Sequence, residues 1–246
     1  METNEKNQFH LSKVNGFPGR WIGGITLIVG PILMLVGVLL RIQFDFFYPK
    51  QLEAYMDYPS IVFWSFSAFN AGNVLLLPAI LTIIGLIRQM KPNWATWGGM
   101  LVVFGLFTRT FHAGVDHLAY QLARLQPLDV ATKVIGDSYG AYHIFKMFNL
   151  AILLGWIVLA IGAYRSKVLN LMSSMALGLM ASLPLGVLKG TTLFSVIATA
   201  GLCIALVPLG IKVLRNGTKP SLKNVVFYLL VSIICIFIFH FIGQAG

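Results

Sequence analysis

The chain has little charge, few cysteines and no nucleotide-binding loop. Charged side chains make up 11% of its 246 residues, against about 25% in an ordinary soluble domain. The two cysteines, Cys203 and Cys235, stand in apolar stretches with no CxxC or Cys/His spacing, which argues against a disulfide scaffold and a cysteine metal site. No Walker A sequence is present. The low charge argues against a soluble enzyme. The missing Walker A loop argues against an enzyme that binds nucleotides through such a loop.

The chain is rich in hydrophobic residues. Hydrophobic residues make up 57% of it and its mean hydropathy is +0.81, so the bilayer is its solvent. A helix needs about 20 residues to cross the hydrocarbon core. Seven apolar runs are that long, at about 21–40, 60–87, 94–121, 139–164, 168–188, 191–214 and 224–241. The sequence predicts an all-α, polytopic transmembrane helix bundle of about seven spans.

The ends of the chain fit one membrane domain after a polar tail. Residues 1–20 are polar, the first apolar run is full length, and no small-residue cleavage site follows it. We therefore interpret the run as a true span rather than a cleaved signal peptide. Residues 21–246 are predicted to form a single transmembrane helical domain.

The distribution of basic residues predicts the topology. The formal net charge is +10, and if the N-terminus is inside, most Lys and Arg residues fall on cytoplasmic segments. This is the positive-inside pattern, so we expect a cytoplasmic N-terminus and a C-terminus outside. The basic inner face is typical of a protein whose partner is the lipid bilayer, with no nucleic acid implied.

The fifth predicted span carries small residues at four-residue intervals. Ser174, Gly178, Ser182 and Gly186 would lie along one helix face and admit a neighbouring backbone. A turn at 189–190 then leads into the sixth predicted span. The pattern predicts a tight hairpin of two full-length helices.

Ionisable residues interrupt the third predicted span. Placing Arg or Asp at mid-membrane costs about 2.5 to 3.5 kcal/mol each, so Arg109, His112 and Asp116 are expected to have partners. Their spacing places them on one helix face. His117 follows Asp116 about 100° around the helix.

Neighbouring spans bring polar residues to a comparable depth. The sequence predicts an outward-facing polar pocket among spans two, three and four, in which Arg109 and Lys146 flank Asp116 with His112 between them. Its ligand-binding residues are predicted to be Arg109, His112, Asp116, His117, Tyr142, His143, Lys146, Asn149, Asn70 and Asn73.

Several roles fit this pocket. The residues could form an interhelical clamp without a ligand. They could bind or pass a small molecule, lipid or peptide, and the positive surplus favours an anionic or amphipathic one. We favour this second reading, a transport, resistance or immunity component for which no cofactor is expected, and leave open whether it is an enzyme. The alternative is an intramembrane metal-dependent hydrolase with Zn on His112, Asp116 and His143, or a haem protein using the two histidines.

Three runs, 109–120, 138–143 and 183–190, carry a resemblance. In them the chain resembles a family of uncharacterised polytopic membrane proteins from bacteria. The resemblance implies a multi-pass protein of the bacterial plasma membrane and implies no activity. The motifs of rhomboid and CAAX-type proteases and of ceramidase-like hydrolases are not matched.

Overall fold

The computed structural model describes residues 16–139, 142–217 and 221–245. Within them the protein is all-helical, with no strand. Six of its helices are long and apolar enough to cross a membrane. They are α1 (Arg20–Arg41), α3 (Pro59–Arg88), α4 (Pro92–Leu125), α6 (Phe145–Arg165), α8 (Leu193–Arg215) and α9 (Leu222–Ala245). The all-helical, multi-span prediction is confirmed at this level.

Shorter helices join the long ones. Helices α2 (Tyr48–Asp57) and α5 (Leu128–Tyr139) occupy two of the connections. Helices α3 and α4 each begin at a proline, which suits the first helical position because proline has no amide hydrogen to leave unpaired there.

Internal contacts divide the chain into two units, Met1–Arg215 and Asn216–Gly246. The first contains α1 to α8 and the apolar core, in which Leu27, Met34, Ile80 and Trp156 are fully buried. The second contains α9, and none of its described residues is buried.

Helices of the first unit pack closely through glycines. A Cβ atom added at Gly72 of α3 would lie 2.7 Å from the carbonyl oxygen of Gly30 on α1. One added at Gly155 of α6 would lie 2.7 Å from the amide nitrogen of Val102 on α4. Such contacts exist because a residue without a side chain lets two backbones approach.

The fifth predicted span is not one helix, so that prediction was wrong. Helix α7 (Leu171–Gly178) continues as a 3-10 turn, Leu179–Ser182, and then becomes a non-helical segment, residues 183–192, that leads to α8. The helix ends before Pro184 because proline disfavours helical backbone in the residue that precedes it, and Leu183 has an extended conformation with φ −69° and ψ 122°. Gly186 follows with φ +121°.

The predicted small-residue face fails for the same reason. Gly186 lies in the non-helical segment, so it cannot continue a helix face from Ser174 and Gly178. The non-helical segment is nevertheless buried in part, with Leu183, Val187 and Leu188 each at most 5% exposed. Its backbone polar groups therefore need partners inside the protein.

Candidate functional site

Two side chains of α4 hold the non-helical segment. Near the midpoint of α4, Arg109 donates from Nη1 to Pro184 O at 3.1 Å and from Nη2 to Leu183 O at 3.2 Å. Two helical turns further along, Asp116 Oδ1 accepts a hydrogen bond from Leu188 N. Arg109 thus donates to carbonyl groups that the helix break leaves without helical partners. Asp116 accepts from an amide group left without one in the same way. The two polar residues replace the hydrogen bonds that a continuous helix would have made.

This arrangement differs from the predicted one, in which Arg109 and Lys146 flank Asp116. An ion pair between Lys50 Nζ and Glu53 Oε2, at 2.6 Å, lies on the surface instead of in the predicted pocket. Lys146 is half-buried on α6 and does not line the cavity described next.

A cavity of about 50 Å³ lies between α1, α3, α4 and the non-helical segment. This volume suits a group of a few heavy atoms, since a cavity needs about 10 to 15 Å³ of accessible space to hold one water molecule and pockets for drug-sized ligands hold about 300 to 1,000 Å³. Its polar and charged lining residues are Arg41, Asn70, Arg109, His112, Asp116, Lys189, Thr191 and Ser195.

The charge in this cavity is mainly positive. Arg41 and Arg109 are buried, at 5% and 8% exposed, and Asp116 is 7% exposed. Lys189 is exposed and marks the mouth of the cavity. Three cationic side chains and one carboxylate leave a formal surplus of two positive charges.

Both buried guanidinium groups keep an unused donor. Within the part of the chain that the structure describes, Arg41 Nε and Arg109 Nε have no hydrogen-bond partner. The Arg41 guanidinium carbon lies 5.0 Å from the Phe66 ring centroid and 5.6 Å from that of Phe69, so aromatic faces support its charge. A buried donor without an acceptor costs about 1 to 3 kcal/mol.

Sequence reasoning missed two of the three cations. Arg41 and Lys189 each follow directly after a predicted apolar run, 21–40 and 168–188, and so stand at the end of a span and not within one. A basic residue in that position normally reaches for the membrane surface. Arg41 and Lys189 line the same cavity as Arg109 because α1 packs against α3 and the non-helical segment packs beside them. The sequence pattern predicted neither this packing nor the non-helical segment.

The histidines form an aromatic cluster at the edge of the cavity. His112 is buried, and its Nε2 lies 3.4 Å from the Tyr139 hydroxyl oxygen. Burial raises the pKa of the Tyr139 phenol, so the group stays a neutral hydroxyl. The ring of half-buried His143 lies 6.5 Å from that of His112 and 4.9 Å from that of Phe111, between centroids.

The structure brings together only part of the predicted site. Of the ten predicted residues, Asn70, Arg109, His112 and Asp116 line the cavity. Asn73 instead joins α3 to α4, donating from Nδ2 to Leu106 O at 3.3 Å and to Thr110 Oγ1 at 3.1 Å. The remaining predicted residues do not line the cavity: His143, Lys146 and Asn149 are half-buried, while His117 and Tyr142 are exposed.

The predicted metal ligands do not meet as a set. In the described ranges, no group of three or more His, Cys, Asp or Glu residues is placed to hold a metal ion. Asp116 is directed at Leu188 N, while His112 and His143 contact each other and Tyr139 through their ring edges and faces. The zinc and haem alternatives stay predictions.

The sequence matches no protein family and no curated protein, and the fold matches no solved structure. The resemblance to uncharacterised bacterial membrane proteins therefore stays a prediction, and the cavity itself carries the functional argument.

Proposed function

We propose that this protein binds a small anionic compound, or the anionic group of an amphipathic one, in the cavity between α1, α3, α4 and residues 183–192. The supporting observation is the pair of buried guanidinium residues, Arg41 and Arg109, that line a cavity of net positive charge. A buried charge without a counter-charge is costly. An anion would supply the counter-charge, as expected of a transport, resistance or immunity component.

The proposal places the protein in a bacterial plasma membrane with seven crossings, a cytoplasmic N-terminus and an external C-terminus. Residues 168–190 would supply the fifth crossing through a short helix followed by non-helical chain. The concentration of Lys and Arg on alternate connections supports this orientation. Lys189 lies 5.3 Å from the Phe46 ring, in the connection between α1 and α3, so the cavity would open outward.

The test is anion binding by the purified full-length protein in detergent. Sodium phosphate, sulfate and acetate would each be titrated against chloride at constant ionic strength, and the thermal unfolding temperature followed by tryptophan fluorescence. We expect at least one of the three to raise that temperature, because a ligand that binds only the folded state stabilises it. Arg41→Gln should weaken that binding about tenfold or more, since a hydrogen bond to a charged group contributes about 1.5 to 3 kcal/mol.

Arg124→Gln is the matched control. Arg124 is exposed near the end of α4, lies outside the cavity and donates to Gln121 Oε1 at 3.0 Å. Its replacement should leave anion binding unchanged. Equal binding by wild type and Arg41→Gln, or no response to any of the three anions, would contradict the proposed function.

A further inference from the structure

We infer that the anion is a phosphate group that keeps a P–OH, either inorganic hydrogen phosphate or a monoprotonated phosphomonoester, and that Asp116 selects it against sulfate. This inference rests on the proposed function and names the ligand class of the same cavity.

The cavity walls fit a tetrahedral oxyanion. Four charged side chains line it: Arg41, Arg109, Lys189 and Asp116. A tetrahedral oxyanion offers four oxygens to four such groups, whereas a carboxylate offers two. Guanidinium groups bind oxyanions through paired donors with good geometry. The formal surplus of two positive charges also matches hydrogen phosphate, which carries two negative charges.

Asp116 gives the cavity its selectivity. An ionised carboxylate accepts hydrogen bonds and donates none. Its Oδ1 accepts from Leu188 N, and Asp116 lines the cavity, so its second oxygen, Oδ2, is the atom that would accept from a bound ligand. An anion without a proton is repelled by this carboxylate, while one with a hydroxyl can donate to it in a short, charge-assisted bond. Sulfate has no proton at neutral pH, whereas hydrogen phosphate keeps one.

The size of the cavity limits what can enter. About 50 Å³ accommodates one small polyatomic group and no organic substituent of appreciable size. A phosphomonoester would therefore place its phosphate inside, with the rest of the molecule beyond the mouth at Lys189. The source of the phosphate, soluble or lipid-borne, is a matter for experiment because both present the same chemistry.

Asp116 could instead serve only to hold Leu188, and one isosteric variant separates the two roles. In Asp116→Asn the amide oxygen still accepts from Leu188 N, but the charge is lost and the second position becomes a donor. A purely structural Asp116 would leave the preference between anions unchanged in this variant. Selection by the carboxylate would be reversed or abolished.

The experiment measures dissociation constants of inorganic phosphate and sulfate at pH 7.5, by calorimetry, on full-length protein in nanodiscs of phosphatidylcholine. We expect wild type to bind phosphate at least tenfold more tightly than sulfate. Asp116→Asn should bring the ratio close to one. Asp57→Asn is the control, because Asp57 is exposed at the end of α2 and outside the cavity, and it should keep the wild-type ratio.

A second arm distinguishes the sources. At about pH 6, where a phosphomonoester with a second pKa of about 6 still keeps a P–OH in part, phosphatidic acid, a phosphomonoester, or phosphatidylglycerol, a diester without a P–OH, would be added to the nanodiscs as competitor. Displacement of inorganic phosphate by phosphatidic acid alone supports a lipid headgroup as ligand, and no displacement by either lipid supports free phosphate. Equal displacement by both lipids would overturn the requirement for a P–OH.

The other outcomes separate this inference from the proposed function. Sulfate binding as tightly as phosphate, an unchanged ratio in Asp116→Asn, or binding of acetate without phosphate would overturn the inference and leave anion binding standing. No binding of any anion would remove both. If Asp116→Asn does not fold, the wild-type ratio and the lipid competition still decide.

Discussion

Arg41 and Arg109 are both buried guanidinium groups, yet their surroundings differ. Arg109 donates to two backbone carbonyls, of Leu183 and Pro184, and so supports the fold as well as the cavity. Arg41 lies over the rings of Phe66 and Phe69. Replacing the two residues should therefore have different effects on stability, even though both replacements remove one positive charge.

We predict that Arg109→Gln destabilises the protein more than Arg41→Gln does. The first change removes the donors of two buried carbonyls, at about 1 to 3 kcal/mol for each group left unpaired. The second should change the free energy of unfolding by less than about 1 kcal/mol, because lost ring contacts are offset by a smaller surplus of buried positive charge. Reversible unfolding of both variants in anion-free detergent would measure this. Equal stability of the two would contradict the assigned role of Arg109.

The sequence predicts which polar residues of α4 are buried, but not which groups they bind. The cost of charge in a bilayer was enough to predict that Arg109, His112 and Asp116 are buried and share one face of a helix. It could not supply the partners of Arg109 and Asp116, because those partners are backbone atoms of residues 183–188. Backbone atoms become available only where a helix breaks, and the apolar side chains of that stretch look the same in a helix or outside one.

At the scale of helices, close glycine contacts occur in the predicted pair and in others. A Cβ atom added at Gly201 of α8 would lie 2.7 Å from Ala176 O on α7, but the glycine of that contact is on α8 and not in the four-residue series 174–186. Gly30 and Gly72 bring α1 to α3, and Gly155 brings α6 to α4. Spacing alone does not identify a contact, since it assumes that the helix continues. Pro184 lies within the predicted run 168–188, and the helix ends before it.

We predict that Gly72→Ala lowers stability and that Gly85→Ala, on the same helix α3, does not. The new Cβ at position 72 would lie 2.7 Å from Gly30 O and 2.8 Å from Met34 N, whereas nothing lies within 4 Å of one at position 85. Forcing α1 and α3 apart should cost about 1 to 3 kcal/mol. At position 85 alanine should be neutral or stabilising by up to about 1 kcal/mol, from its helix propensity. Thermal unfolding of the two variants side by side tests the contact, and an equal shift in both would refute it.

For the molecule as a whole, composition and hydropathy were sufficient to predict a multi-span helical protein. Six of the predicted runs correspond to long apolar helices, from α1 to α9. These runs were predictable because a bilayer demands both length and apolarity of any helix that crosses it. The remaining run, 168–188, is also long and apolar, yet it does not form one continuous helix. Composition does not predict which partners the backbone amide and carbonyl groups of a segment will have.

The proposed orientation predicts which residues are accessible from outside the cell. In a variant with Cys203 and Cys235 replaced by alanine, single cysteines would be introduced at Asp57 and Gln89, both exposed and close to opposite ends of α3. We expect a membrane-impermeant maleimide to label Asp57→Cys in intact cells and Gln89→Cys only after permeabilisation. The reverse pattern would show that the cavity mouth faces the cytoplasm.

The helix break before Pro184 has a consequence for biogenesis. A continuous helix enters the bilayer with its backbone hydrogen bonds already made, but residues 183–188 obtain theirs from Arg109 and Asp116. That stretch can settle at its final depth only against an α4 that is already inserted. Because α4 precedes it in the chain, synthesis from the N-terminus provides this order, and a circular permutant that began after α4 would have to insert residues 183–188 with no helix ready to receive them.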